Sequence, residues 1–290
     1  MAEPYATCYL DGEFQPLAAA RISPLDRGFL FADGVYEVIP VHRGRAFRLR
    51  EHLQRLDDSL AGIRLRNPHS ASEWHGILQQ LARLAGGMEM LLYVQVTRGR
   101  EPGRNHLFPS AAAPTVFAFA SPFPVPAAET LEQGLRAVTL ADIRWDRCDI
   151  KSIALLANVL LRQEAADRGA HEALLVRDGL LLEGSSSTVF LCIGGTLVTP
   201  PKDQHILPGT SRDAVLELAD GWLQTEVCPL EARVIANCDE LWIASAGRGV
   251  LPVTQVNDEP IGDGSPGPLW RRMYERLQAH LDEIAPTPAL

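Results

Sequence analysis

The sequence predicts an α+β fold in two domains. Three observations lead there: helical and strand-like hydrophobic periods alternate along the chain, turn dipeptides separate many of the strands, and a proline-rich stretch, Ser121-Pro-Phe-Pro-Val-Pro126, falls near the middle. At 290 residues the chain is long enough for one large or two ordinary domains. Each proline of the central stretch locks φ and removes a backbone donor, which suits an extended connection. The expected division is a small N-terminal α+β domain over 1–120, a linker over 121–127 and a larger C-terminal α+β domain over 128–290.

The opening segments Tyr5 to Leu10 and Gln15 to Leu17 flank Asp11-Gly12, a dipeptide that supplies the positive φ of a tight hairpin. Val35 to His42 reads as a third strand that turns at Arg43-Gly44. From Arg50 to Leu65 the period becomes helical, with Leu53, Leu56, Leu60 and Ile63 making one apolar stripe. A second helix carries Trp74, Ile77, Leu78, Leu81 and Leu84. Met90 to Arg98 and Thr115 to Ala120 return to strand, so the first half predicts helices covering one face of a mainly antiparallel sheet. Beyond the linker come a strand at Arg136 to Ile143 and a helix from Ser152 to Arg168 closed by Gly169. Short strands follow at Ala173 to Arg177, Leu180 to Glu183, Thr188 to Ile193 and Thr196 to Thr199, turning at Asp178-Gly179 and Gly194-Gly195. A helix runs from Pro208-Gly209 to Leu218, Leu241 to Ala244 is a strand, and a helix spans Leu269 to Leu281.

Composition narrows the function classes. With 27 basic and 36 acidic residues the net charge is −9, the wrong sign for coating phosphates, and there is no basic run. Small-molecule partners are expected, and neither nucleic acid nor a membrane. No stretch approaches the ~18 to 20 continuous apolar residues of a membrane span, and the N-terminus lacks a basic flank and apolar run, so a cytoplasmic protein is expected. Five widely spaced cysteines without a CxxC pattern fit reduced thiols, and the histidines lack metal-ligand spacing, so no metal site is expected.

Lysine is scarce: Lys151 and Lys202 are the only two, and the remaining basic residues are arginine. Lys151 lies in Arg147-Cys-Asp-Ile-Lys-Ser152, after a strand and before an apolar helix, where an amine can serve as a Schiff-base nucleophile and proton carrier. The ordinary alternative is a solvated lysine. Glu183-Gly-Ser-Ser-Ser-Thr188 follows between strands. Ile206-Leu-Pro-Gly-Thr-Ser-Arg212 then opens a helix, whose N-terminus offers amide donors and positive dipole potential to an anion, with the hydroxyls of Thr210 and Ser211 beside it. Read alone, that segment is more simply a plain N-cap, with Ser211 or Thr210 bonding the first turn. A serine hydrolase using the Ser185 to Ser187 run lacks the second glycine of a nucleophile elbow.

Together these segments resemble the fold-type IV pyridoxal-phosphate enzymes, the class IV aminotransferases. The resemblance rests on Leu25-Asp-Arg-Gly28 with Asp33-Gly-Val-Tyr-Glu37, on Glu51-His-Leu-Gln-Arg-Leu56, and on the lysine, glutamate-serine and Leu-Pro-Gly-Thr-Ser-Arg segments, in the family's order over nearly the whole chain. It implies mixed and antiparallel sheets with covering helices, and pyridoxal 5′-phosphate as cofactor. Lys151 would hold the cofactor and shuttle the substrate proton. Glu183 would face the pyridine nitrogen, and Arg55, Thr210 and Ser211 would bind the phosphate. Ser186, Leu207, Ser245 and Ala246 would complete the cofactor site.

Thr97-Arg-Gly-Arg-Glu-Pro-Gly-Arg-Asn-His-Leu-Phe-Pro109 resembles the D-amino acid transaminase loop, in which Arg104 and His106 would trap the substrate carboxylate with the Tyr36 hydroxyl. The family's Thr-rich phosphate loop is replaced by Ala244-Ser-Ala-Gly-Arg-Gly249, so Arg248 is expected beside the substrate as a second carboxylate anchor. The implied activity is transfer of an amino group from a D-amino acid to a 2-oxo acid by a ping-pong route, in a homodimer whose loops close each other's pockets. A branched-chain or (R)-amine transaminase, or an aminodeoxychorismate-type lyase, would share the cofactor residues.

Overall fold

The computed structural model describes residues 3–111 and 113–283. Contacts divide the chain into two compact units, one running to Pro124 and including Ile150–Ala154, the other made of Val125–Asp149 and Leu155–Glu283.

In the first unit, β1 (Thr7–Leu10) and β2 (Glu13–Pro16) form the expected hairpin, with Asp11 and Gly12 at φ 47° and 102°. A short helix α1 (Arg27–Phe31) is capped by Asp26, whose carboxylate accepts from the Gly28 amide at 2.7 Å. Strand β3 (Gly34–His42) turns at Arg43-Gly44 into β4 (Arg45–Ala46). Helices α2 (Leu49–Gly62) and α3 (Ala71–Ala85) then lead to β5 (Met90–Thr97) and β6 (Thr115–Pro122). Ser121 and Pro122, expected in the linker, instead complete β6 by pairing with Leu91 and Met90.

The strands form one antiparallel sheet in the order β2-β1-β6-β5-β3-β4. Alternate residues of β3, β5 and β6, among them Val35, Ile39, Leu92, Val94 and Ala118, make the core with Leu56 and Leu60 of α2 and Trp74, Leu78 and Leu81 of α3. Each such side chain contributes about 1.5–3 kcal/mol on burial. Leu84, expected in the α3 stripe, is exposed, and Ala85 packs on the core in its place. Ser70 and Glu73 close a capping box at the start of α3.

The second unit opens with α4 (Ala128–Gln133), β7 (Leu135–Ala141) and α5 (Leu156–Asp167). The helix expected from Ser152 begins only at Leu156, because the preceding backbone pairs with β3: Ser152 bridges Val35, and the Ile153 amide donates to the Gly34 carbonyl at 3.1 Å. Strands β8 (Glu172–Arg177), β9 (Leu180–Gly184), β10 (Thr188–Ile193) and β11 (Thr196–Thr199) follow as expected. After α6 (Thr210–Ala219) come β12 (Gln224–Val227), β13 (Leu230–Glu231), β14 (Glu240–Ser245), β15 (Gly249–Val256), β16 (Glu259–Pro260) and α7 (Pro268–Glu283).

The second sheet runs β12-β11-β10-β14-β15-β7-β8-β9-β13, with β16 on β15. It is mixed: β7 lies parallel to both β8 and β15, and β11 parallel to β12. Helix α5 packs Leu161 and Ala165 against Val138, Leu140 and Leu175, while α6 and α7 lie against β14 and β15. Among the described residues no helix is long and apolar enough to cross a membrane, and all five cysteines are free thiols.

Candidate active site

Lys151 owes its place to backbone pairing. Its amide donates to the Ser59 hydroxyl at 3.1 Å and its carbonyl accepts from the Tyr36 amide at 2.9 Å. Gly34 permits this approach, since a Cβ there would lie 2.7 Å from the Val96 carbonyl oxygen and 3.1 Å from Ile153 Cδ1. The Lys151 Nζ sits 4.3 Å from the centre of the Tyr36 ring, a cation–π contact. Tyr36 in turn stacks on Tyr93 at 5.8 Å, and burial pushes the Tyr93 phenol up to about 12.

Beside this pair lies a buried ionic group that the sequence reading does not foresee. Glu37, wholly buried, accepts from Arg55 Nε at 2.7 Å, from an Arg55 terminal nitrogen at 2.9 Å and from His52 Nδ1 at 2.7 Å. Burial would raise the Glu37 carboxyl, but Arg55 and then His52 outweigh it and hold the group well below its ordinary value. Burial pushes His52 down, so a neutral ring donates its Nδ1 proton to an acceptor-only carboxylate. The available signal is a charge in the buried phase of a strand, between Val35 and Ile39. Arg55, expected on a phosphate, is thus oriented by Glu37.

The loop after β5 is braced from below. Arg27, 3% exposed, binds Asp33 at 2.8 Å, the Glu101 carboxylate, and the Asn105 and Leu107 carbonyls at 2.6 and 3.2 Å. Arg98 grips Asp33 at 2.8 and 3.0 Å and lies 3.8 Å from the Phe108 ring centre. Above these anchors the exposed Arg104 and His106 meet at one ring, Phe31, at 4.8 and 5.2 Å. The structure therefore brings Arg104 and His106 together at Phe31, while Tyr36, expected as their third partner, sits with Tyr93 and Lys151.

In the second unit Glu183 lies buried at the end of β9. The Arg144 guanidinium donates to it, to Asp142 at 2.9 and 3.1 Å and to the His205 carbonyl at 3.1 Å, and the Leu207 amide lies 3.3 Å from both Glu183 oxygens. Burial raises the Glu183 carboxyl despite the opposing charge of Arg144. Arg144 escapes a sequence reading because nothing local ties it to a glutamate 39 positions away.

Gly209 is the N-cap of α6 and offers no side-chain acceptor, so the helix end is not closed by the hydroxyl cap that is the ordinary alternative. A Cβ at Gly209 would approach Thr188 Oγ1 to 2.8 Å. Thr210 is buried and Ser211 half-buried in the first turn, while Ser186 is exposed between two buried serines. Ser245, Ala246 and Arg248 share the β14–β15 turn, closed by the Arg248 amide on the Ser245 carbonyl at 3.2 Å. The Arg248 side chain reaches the buried Glu172 at 3.3 Å.

The chain matches the family model Amino-transferase class IV over residues 34–256. It is 40% identical to a D-alanine aminotransferase of Bacillus licheniformis, covering 96% of this chain and 98% of that one, and 34% identical to one of Staphylococcus haemolyticus, covering 94% and 97%. Its fold is that of a branched-chain amino acid aminotransferase of Escherichia coli (TM-score 0.89, 24% identity, 95% and 94% covered) and of a fold IV-transaminase from Curtobacterium pusillum (TM-score 0.79, 27% identity, 93% and 92% covered). The protein belongs to the class IV aminotransferases.

Proposed function

We propose that the protein is a pyridoxal 5′-phosphate-dependent transaminase that moves the amino group of a D-amino acid to a 2-oxo acid by a ping-pong route. The observation that carries this reading is the 40% identity to a D-alanine aminotransferase over almost the full length of both chains. A further structural neighbour, another branched-chain amino acid aminotransferase, was solved with pyridoxamine 5′-phosphate (TM-score 0.90, 23% identity, 96% and 95% covered).

The residues present fit such a cofactor. Glu183 is buried, and Arg144 and the Leu207 amide fix its carboxylate as an acceptor that would keep a proton on a ring nitrogen facing it. Thr210, Ser211, Ser245 and Ala246 would supply phosphate donors, and the family resemblance adds Arg55 and Ser186 to the cofactor's ligands. When bound, the cofactor supplies an aldehyde for the amino group and a protonated ring that withdraws electrons from the α-carbon. Lys151 Nζ holds the cofactor and then carries the α-proton of the substrate.

Tyr36, Arg104 and His106 bind the α-carboxylate, and fixing it selects which α-hydrogen Lys151 meets. Arg104 and His106 meet at Phe31 and Tyr36 lies against Lys151; in the homodimer the family resemblance implies, the loop would close the pocket of a partner subunit. Five free thiols suit a cytoplasmic setting.

The test is the absorbance spectrum of the purified protein with pyridoxal phosphate, recorded with D-alanine or D-glutamate and with the L-isomers. A visible cofactor band that collapses only with D-isomers is expected, and Lys151→Ala removes the band. Collapse with L-isomers alone overturns the stereochemical assignment. Product formed without an acceptor 2-oxo acid points to a lyase.

A further inference from the structure

Resting on the transaminase reading above, we propose that Arg162 and Arg248 form a subsite for a carboxylate on the substrate's side chain, a specificity device distinct from the residues that hold the α-carboxylate. The pair is organised by Glu172. This carboxylate, fully buried at the first position of β8, accepts from the Ser185 hydroxyl, from Ser187 Oγ at 3.2 Å, and from the Ala173 and Ser185 amides at 3.1 and 3.2 Å. Two guanidinium nitrogens, Arg162 Nη1 and Arg248 Nη1, stand at 3.3 Å from its oxygens.

Charge counting shows what the group lacks. Two guanidiniums face one carboxylate, leaving one positive charge over, in a chain whose net charge is −9. The 3.3 Å separations exceed the roughly 2.7–2.9 Å of a good charge-assisted bond. Arg162 Nη1 is buried and makes no hydrogen bond, although leaving a buried donor orphaned is costly. His171 feels the same surplus: burial, then Arg136, Arg162 and Arg248, push its ring below its ordinary value. A single further oxyanion would satisfy the orphaned donor and cancel the surplus.

Place and charge select the anion. Arg248 sits in the turn that carries Ser245 and Ala246, and Ser185 and Ser187 flank Ser186 just beyond Glu183, at the end of the sheet where Thr188 pairs with Ala244. One surplus charge matches a monoanionic carboxylate better than a dianionic phosphate, and the planar guanidinium fork matches its two oxygens. The substrates so favoured are dicarboxylic amino acids and their 2-oxo acids.

Titration calorimetry of the holoenzyme with glutarate and with butyrate tests this without turnover. Glutarate is expected to bind about tenfold or more tightly than butyrate. Arg248→Met and Arg162→Met are each expected to erase most of that difference, and Arg248→Lys to keep part of it. Thermal melting and the cofactor band report whether each variant folds, and Arg162, 37% exposed, is the more tolerant site. Equal binding of the two acids by the wild-type protein overturns the proposal whatever the variants do. So do variants that keep the preference, or that lose pyridoxal phosphate affinity while keeping glutarate, which would assign the pair to the phosphate. Failure of the transaminase reading is separate, seen as a cofactor band indifferent to D-amino acids.

Discussion

Arg55 grips Glu37 with two nitrogens, at 2.7 and 2.9 Å, where both side chains are buried. The sequence assigns this arginine to a bound anion, yet it is first a tenant of the protein's own interior. Breaking such a pair from one side leaves a buried charge and costs about 3–5 kcal/mol. Arg55→Met is therefore expected to lower the urea midpoint substantially. Adding Glu37→Gln should recover most of that loss, while pyridoxal phosphate affinity, read by fluorescence titration, stays about tenfold or more reduced in both. Recovery of cofactor affinity along with stability would show that Arg55 acts only through folding.

The same group predicts acid sensitivity. The folded-state value of Glu37 lies below its ordinary 4.5, so its stabilisation is complete above that pH and is lost as pH falls below it. His52, held below its ordinary 6.5, adds a loss that begins as pH drops through that value. Urea unfolding between pH 7 and 3.5 should show a falling midpoint, and Glu37→Gln should flatten the part below about pH 4.5. Parallel curves for the two proteins would contradict this assignment.

At the loop, Arg104→Ala with His106→Ala is expected to raise the KM for D-alanine by about 10- to 100-fold. The melting temperature should barely move, because both side chains are exposed. If the loop serves a partner's pocket, mixing this variant with Lys151→Ala should restore about a quarter of wild-type activity through mixed dimers. No complementation on mixing would place loop and lysine in one subunit's pocket.

Gly34→Ala would drive a methyl group to 2.7 Å from the Val96 carbonyl and 3.1 Å from Ile153. A cost of about 1–3 kcal/mol is expected, with the lysine segment displaced. Thermal melting measures the first, and faster modification of Lys151 by an amine reagent reports the second.

Much of this architecture is legible from hydrophobic period and turn chemistry. The β1–β2 hairpin at Asp11-Gly12 and the α2 stripe of Leu56 and Leu60 need nothing beyond local sequence. The start of α5 is misread because Ile153-Ala-Leu-Leu has a helical look, while its backbone is claimed by β3, a partner more than a hundred residues away. Strand β15 goes unseen because Gly249 and Pro252 interrupt it. Among the candidate site residues, Lys151 and Glu183 stand out by their surrounding segments. Arg144, Glu172 and Arg162 do not, since their meaning lies in charges met only after folding.

The five residues Ile150–Ala154 also bear on how the chain can be made and cut. The first unit borrows them from beyond Val125–Asp149, so neither unit is an unbroken stretch of the coding sequence. A fragment ending at Pro124 would lack Ile150 from its core and the carbonyl that receives the Tyr36 amide. During synthesis, at about 5–20 residues per second, the nascent first unit waits roughly 2 to 6 s after Pro124 is added for its last strand-like piece to be added. Exchange of either unit between relatives by a single crossover at the proline-rich stretch would pair a sheet with a foreign lysine segment.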